Sequence, residues 1–307
     1  MKNALMMAFI CDPYLAAFQV DLYNRFWKNE VDEVLINVNG TNERIKNWIG
    51  DLWESQDKVT FVDRQRMMRQ GTAFNYLYPH ISKDVEVVVT MDSDNFIYSE
   101  DVINKFADII ESEEYGIIGS TGYHAYPSEV SNLIVNRYGT VRVNPFMSFW
   151  DKHILNKLPE VNWTSFAYKQ GDIYPPVGLI PADGYMEVMA KLTLDVLHTG
   201  VKYLTIPPAL FEKYVHVGGI SQVFRRYFPE IEGTDGRLQD NVNFVQVDYL
   251  VWRELLFRAT KKVIPFPDIN QIHERIYDEK MAMIGISKST EEELIVRNKT
   301  QYPRLFQ

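Results

Sequence analysis

The chain has 307 residues, 46% hydrophobic and 13% aromatic, enough to bury a sizeable core in one large α/β domain or two closely joined lobes. A formal net charge of -9 excludes a long nucleic-acid groove, which needs clustered lysine and arginine, and leaves room only for a local site that takes one small anion. Cys11 is the single cysteine, so no intramolecular disulfide forms, nothing demands an oxidising compartment, and a cytoplasmic protein is expected.

In chain order, the apolar run at 5–10 is too short to span a bilayer and lacks the small-residue cleavage pattern of a signal peptide, so it reads as the first core strand. No transmembrane segment is expected. Further strands are predicted at 33–38, 58–62 and 85–91, separated by segments of helical period. Between the last two, Phe74, Leu77, Tyr78 and Ile81 fall at i, i+3, i+4 and i+7, one apolar helix face. This alternation is the pattern of a parallel sheet flanked by helices, so the N-terminal half is expected to be Rossmann-like.

Each of those strands runs into polar or glycine-containing sequence: Asp12-Pro13, Asn39-Gly40, Asp63-Arg64-Gln65, and Asp92-Ser93-Asp94. In open parallel sheets the ligand crevice lies beyond the carboxyl ends of the strands, so these four loops are expected to line one cleft. Ser99 then reads as an N-cap with Glu100 and Asp101 in the first turn, ahead of an apolar stripe of Val102, Phe106, Ile109 and Ile110. From 116 to 184 the pattern breaks up, and an irregular, partly functional stretch is predicted. Tyr185, Met189, Leu192 and Val196 recur at helical spacing, Gly200 is placed as a C-terminal cap, and 201–206 reads as a further strand. Beyond His216 the chain is mostly helical in period, with Val242, Val245, Tyr249, Trp252 and Leu256 on one stripe. The expected division is a catalytic domain at 1–227, made of a nucleotide-binding half at 1–95 and an acceptor-binding half at 96–227, followed by a helical extension at 228–307.

The strongest chemical signal is Asp92-Ser93-Asp94, two carboxylates one residue apart at the end of an apolar strand. Mg²⁺ and Mn²⁺ prefer carboxylate and phosphate oxygens, and a strand end holds such groups rigidly beside the cleft; a solvated acidic turn has the same sequence. The second is Asp183, in Pro181-Ala182-Asp183-Gly184-Tyr185-Met186-Glu187, directly before the predicted helix. There it serves either as a proton acceptor for a hydroxyl or as an N-cap, and the roles can coexist. The third is His216, a Mn²⁺ ligand or an ordinary surface or core histidine.

This order of parts resembles the inverting family 2 glycosyltransferases of the GT-A fold: a Rossmann-like half, an apolar strand closing in D-x-D, an acidic motif, a glycine-ended helix, a strand and a histidine. The resemblance covers roughly 5–220 and is one of motif order and spacing. It implies transfer of a sugar, of hexosyl type, from a nucleotide-diphosphate sugar to an acceptor hydroxyl with inversion. UDP-sugars are favoured as donors, and a glycan or glycolipid as acceptor. It implies Asp92 and Asp94 on Mn²⁺ or Mg²⁺, Asp92 also near the donor ribose, and His216 on the metal or the leaving diphosphate. Asp183 becomes the general base, although Ala182 stands where the family commonly has glutamate, and Glu187 is the fallback. The donor pocket is implied at Asp12 and Pro13, Asn39 and Gly40, Asp63, Gln70 and Gly71, together with Asp92 and Ser93.

The segment 218–226, with Gly218, Gly219, Arg225 and Arg226, reads either as a lid over the donor or as a solvent-facing helix. Trp150, Trp163 and Tyr185 are candidates for stacking on sugar rings, or core residues. Two rivals carry different chemistry. A sugar-nucleotide nucleotidyltransferase is disfavoured because 8–20 contains no glycine, lysine or arginine to make a phosphate loop. A non-catalytic carbohydrate-binding protein of the same fold is favoured by the alanine at 182.

Overall fold

The computed structural model describes residues 1–10, 12–40, 42–65, 69–112, 115–122, 125–206, 213–217, 247–260, 264–266, 271 and 288–307. At its centre, among the described residues, is a seven-stranded mixed sheet. Its first four members in the chain are β1 (Asn3–Ile10), β2 (Glu33–Asn39), β3 (Val59–Gln65) and β4 (Val87–Asp92), parallel in the order β3-β2-β1-β4. β1 is buried along nearly its whole length because both its faces are covered, as parallel strands require. The two-residue period divides its side chains between two cores: Leu5, Met7 and Phe9 face one, Ala4 and Met6 the other. β4 splits the same way, with Val89 and Met91 opposed to Val88.

The predicted strands therefore form, with boundaries moved by up to three residues, and the fold is α/β and Rossmann-like. α1 (Pro13–Leu22), α2 (Glu43–Glu54) and α3 (Gln70–Leu77) connect them. α2 shows why: Asn42 Oδ1 accepts from the Ile45 N–H at 3.1 Å, and Ile45, Ile49 and Trp53 recur every four residues as its buried face. A short strand β5 (Asn95–Ile97) follows the acidic turn, and α4 (Ile103–Ser112) comes after it.

The start of α4 corrects the expected cap. Ser99 Oγ donates to the Glu100 carbonyl, and the helix begins only at Ile103. Its first N–H groups, on Ile103 and Asn104, donate to Oε2 of Glu30, from the turn before β2, at 2.6 and 3.3 Å. A cap borrowed from so far along the chain leaves no trace in local spacing.

The stretch predicted to be irregular is regular over its first half. It holds β6 (Tyr115–Gly122), β7 (Ala125–Tyr126), α5 (Ser128–Tyr138), β8 (Arg142–Asp151) and the short helix α6 (Lys152–Leu155). β8 runs antiparallel between β4 and β6. Pro145 is tolerated there because it lies beyond the last β4 pair, Met91 with Met147, and within the register shift against β6, where the missing N–H breaks no ladder bond. The second half does break into short pieces: β9 (Phe166–Tyr168), the hairpin β10 (Ile173–Tyr174) and β11 (Gly178–Leu179), and β12 (Gly184–Met186). β12 is the middle strand of the small sheet β7-β12-β9.

The helix expected around 185–196 starts later than its periodicity implies. α7 spans Ala190–His198, after Met189 in a left-handed conformation at φ 68°, so Met189, Leu192 and Val196 are buried while Tyr185 pairs in β12 instead. Gly200, at φ 91°, ends the turn after α7 as expected, and β13 (Lys202–Thr205) extends the sheet beside β6. β14 (Tyr214–His216) pairs antiparallel with β5.

The C-terminal helix Val247–Thr260 packs into the main core: Trp252 stacks on Phe96 with centroids 6.0 Å apart, and Phe257 meets Tyr14 edge-on at 5.7 Å. Of the stripe predicted there, Val242 and Val245 lie outside the described residues, while Trp252 and Leu256 are buried. No helix among the described residues is long and apolar enough to cross a membrane.

Candidate active site

Asp92 closes β4, and Asp94 follows in the tight turn before β5. That turn is anchored from below by Gln19 of α1, whose Nε2 donates to the backbone carbonyls of Ser93 and Asn95, both at 2.8 Å. His216 arrives by sheet pairing: β14 sets it opposite Asn95, and the Val217 N–H donates to the Asp94 carbonyl at 3.0 Å. The imidazole lies flat on Phe146, ring centroids 3.6 Å apart, with its Nε2 at 3.4 Å from Asp94 Oδ1. One ligating atom from each of Asp92, Asp94 and His216 falls within 4.8 Å of the others.

The electrostatics of the cluster are those of a crowded acidic site. Burial, and then the neighbouring Asp94 charge, hold the Asp92 carboxyl well above the usual carboxylate range, while the Arg142 guanidinium pulls it back down. Gln70, at the start of α3, donates its side-chain amide to Asp92 Oδ1 and orients that carboxylate. Two hard carboxylates and an imidazole are a donor set that fits Mn²⁺ or Mg²⁺, and a dication would relieve the mutual repulsion of Asp92 and Asp94.

The remaining sequence candidates are placed as follows. Asp12 is fully buried and caps α1, its Oδ1 accepting the N–H groups of Tyr14 and Leu15 at 3.0 and 3.1 Å, with Pro13 at the first helical position. Asp63 accepts from Asn37 at 2.6 Å and from Gln65 at 2.8 Å. Asn39 ends β2 almost fully buried, its Oδ1 without a partner among the described residues. Gly71 packs so tightly under the 163–164 backbone that an added Cβ would stand 2.4 Å from the Trp163 carbonyl oxygen. Ser93 takes part through its carbonyl, held by Gln19.

Asp183 is not at a helix start. It is exposed just before β12, with Oδ1 accepting the Gln170 N–H at 2.7 Å, and it is not one of the three clustered groups. The expected N-cap role fails because the next residues extend into strand pairing. Glu187, four residues on, is ion-paired to Arg142, the same side chain whose charge acts on Asp92. Trp150 and Trp163 are wholly buried and packed against each other at 5.1 Å, so they are core and not sugar platforms; Tyr185 remains 47% exposed. The proposed lid at 218–226 lies outside the described residues.

Sequence reasoning missed Gln19, Arg142 and Phe146. Arg142 faces Gly122 across the β6–β8 ladder, and a Cβ there would stand 2.8 Å from its Cγ, so the glycine makes the space the guanidinium occupies. No local spacing announces any of the three. The polar Gln19 within the apolar run of α1 was the one available hint.

Fold and cluster together define a class: a Rossmann-like α/β protein with a candidate cation site beyond the carboxyl ends of its strands. No protein-family model matches the chain, and no curated protein matches it in sequence. Among solved structures, it is similar to the mannosyltransferase PcManGT from Pyrobaculum calidifontis in complex with GDP-Man and Mn²⁺, at 12% identity over 99% of this chain and 84% of that one, TM-score 0.44. It is similar to S. aureus TarS in complex with UDP-GlcNAc at 10% identity, over 100% and 82% of the two chains, TM-score 0.41. It is also similar to 4-diphosphocytidyl-2C-methyl-D-erythritol synthase from Anaerococcus prevotii at 11% identity, over 67% and 88%, TM-score 0.40.

Proposed function

We propose that the protein is a metal-dependent glycosyltransferase that moves a sugar from a nucleotide-diphosphate donor to an acceptor hydroxyl. The observation that carries this reading is the meeting of Asp92 and Asp94, at the end of one strand, with His216, from a strand far along the chain, with ligating atoms within 4.8 Å of one another. These three residues would hold Mn²⁺ or Mg²⁺. When bound, the dication supplies charge neutralisation for a departing nucleoside diphosphate.

The chain's own residues do the rest. Gln70 fixes the rotamer of Asp92, and Gln19 holds the acidic turn at its depth in the cleft. Asn39 offers its buried side-chain oxygen at the end of β2, where a UDP-type base would need a hydrogen-bond partner. On the acceptor side, Asp183 takes the hydroxyl proton as the new C–O bond forms, with Glu187 as the second carboxylate able to do so. Attack opposite the leaving group inverts the anomeric centre without a covalent enzyme intermediate. The division into 1–227 and a C-terminal extension, and a cytoplasmic location suited to a chain with one cysteine, belong to the same reading.

The capped start of α1 weighs against the nucleotidyltransferase alternative: the N–H groups of Tyr14 and Leu15, which would face a triphosphate there, are taken by Asp12. The test is thermal unfolding with a panel of nucleotide sugars, with and without Mn²⁺, followed by product analysis. A true donor at about 100 times its Kd stabilises the fold by roughly 2.7 kcal/mol through mass action. Release of free nucleoside diphosphate is expected, and Asp94→Ala is expected to lose the metal-dependent part of the shift. Release of pyrophosphate, or a shift in Asp94→Ala equal to that of the natural chain, refutes the assignment.

A further inference from the structure

β4 ends in the acidic turn at the carboxyl side of the parallel strands, whereas Glu30 lies at their amino side, where Asn3 of β1 donates its side-chain amide to the Glu30 carbonyl at 2.8 Å. Between the turn before β2 and the start of α4 is a cavity of about 270 Å³, and Glu30, Glu100, Asp101, Asn29 and Asn104 are part of its wall. Glu30 is only 5% exposed. Its Oε2 accepts the N–H groups of Ile103 and Asn104, and its Oε1 has no partner among the described residues. A buried carboxyl oxygen without a donor is a standing cost, and a donor held in the cavity removes it.

The charges on this wall are unbalanced. Arg25 and Lys28 also line the cavity, but both are engaged elsewhere: Arg25 donates to Asp21 Oδ2 and to the Arg304 carbonyl, each at 2.9 Å, and Lys28 is ion-paired to Asp57 at 2.5 Å. Neither Asp21 nor Asp57 is on the wall. Glu30, Glu100 and Asp101 have no ion pair among the described residues, so three carboxyl groups share one cavity without a cation of their own. An anionic ligand is repelled there, and a cationic one is favoured by the net charge of -9 as well. One metal ion is a poor fit. Among the described residues only Asp92, Asp94 and His216 bring three such ligating atoms within 4.8 Å of one another, so Glu30, Glu100 and Asp101 do not converge on a point. A sugar finds no platform, because the ring of Phe26 on the wall carries the guanidinium groups of Arg25 at 4.8 Å and Arg304 at 5.5 Å. Separated carboxylates in a cavity of this size match separated ammonium groups joined by methylenes.

We propose that this cavity binds an organic polycation of the alkyl-polyamine class. One ammonium group donates to Glu30 Oε1 at the buried end, and the next pairs with the exposed Glu100 and Asp101. Because Glu30 also caps α4, the bound amine ties the start of that helix to the turn before β2. Nothing in this requires the transferase reading, and the cation site at Asp92 and Asp94 is at the opposite ends of the strands.

The experiment is isothermal titration calorimetry of the full chain at low ionic strength with spermidine, butylamine and Ca²⁺. Spermidine is expected to bind at one site, and butylamine, with a single ammonium group, about tenfold more weakly. Glu100→Gln and Asp101→Asn are each expected to weaken spermidine by about two- to fivefold, the order of one exposed ion pair. Asparagine is suited to position 101, where φ is 62°. Glu30→Gln keeps an acceptor for the α4 N–H groups and is expected to cost about tenfold. Glu129→Gln, an exposed carboxylate on α5, and Asp94→Ala are expected to bind spermidine as the natural chain does. No binding of spermidine, or equal affinity in the three cavity variants, overturns the proposal. So does an equal loss in Glu129→Gln, which would mean general attraction to an acidic chain, or a loss in Asp94→Ala, which would put the amine on the acidic cluster. Ca²⁺ binding that is tighter than that of spermidine and is lost in Glu100→Gln would replace the amine by a metal ion.

Discussion

Replacing Gln19 with leucine tests whether the acidic turn is held in place from the core. Gln19 is wholly buried on α1, and its amide is the donor to two carbonyls, those of Ser93 and Asn95, at 2.8 Å each. Leucine has nearly the same volume, so little cavity is created and the loss falls on the hydrogen bonds. Each stranded carbonyl costs about 1–3 kcal/mol. Part of that is offset, because Gln19 Oε1 has no partner among the described residues and its removal relieves an existing desolvation penalty. The expected net destabilisation is about 2–3 kcal/mol, read as a lowered urea midpoint with an unchanged slope. The freed turn should also release Asp94 from its fixed position, weakening Mn²⁺ binding by about 10- to 100-fold in a titration followed by electron paramagnetic resonance. A Gln19→Leu chain with the natural midpoint and natural Mn²⁺ affinity would show that the turn holds itself and that the buried amide is incidental.

Glu30 gives a test with a pH sign. Burial raises its carboxyl above the ordinary value, with the backbone N–H groups of Ile103 and Asn104 opposing, so its contribution to stability is complete below the unfolded-state carboxylate pKa and declines as pH rises through the raised folded value. Glu30→Gln keeps an acceptor for those N–H groups without the charge: at pH 7 it should be at least as stable as the natural chain, with the difference vanishing towards pH 4. Glu30→Ala loses the cap and should cost about 0.5–2 kcal/mol; thermal unfolding of the three proteins across pH decides the matter. Gly71→Ala places a Cβ 2.4 Å from the Trp163 carbonyl oxygen and 2.8 Å from Thr164 Cα, backbone atoms that cannot swing aside, so a loss of about 1–3 kcal/mol is expected in a denaturant melt. Phe146→Ala removes the ring under His216 and should lower Mn²⁺ affinity several-fold in calorimetry while leaving the unfolding free energy of the metal-free chain within about 1.5 kcal/mol of its natural value.

The parts legible in the sequence are those with local causes. Unbroken apolar runs at Val87 to Met91 and Leu5 to Ile10 mark strands covered on both faces, and the polar residues that end them mark the side of the sheet where a ligand would sit. Asp92 and Asp94 stood out because one strand end carries both. Periodicity failed where two patterns overlapped: Tyr185, Met189, Leu192 and Val196 fit a helix, yet Tyr185 belongs to β12, because β9 and β7 offer its backbone partners on both sides. Ser99 failed as a cap for a related reason. A better acceptor, Glu30, reaches the same N–H groups from the turn before β2.

By itself, then, the order of residues determined which segments become strands, where they end in carboxylates, and which histidine follows the last of them. Only the tertiary structure decided that His216 reaches Asp94 through pairing of β14 with β5, that Gln19 supports the acidic turn, and that Arg142 of β8 is ion-paired to Glu187. The physical reason is range. Burial period and turn chemistry are written between neighbours a few residues apart, whereas a hydrogen bond or ion pair between elements depends on how whole sheets and helices stack, and packing is a property of the folded chain as a unit.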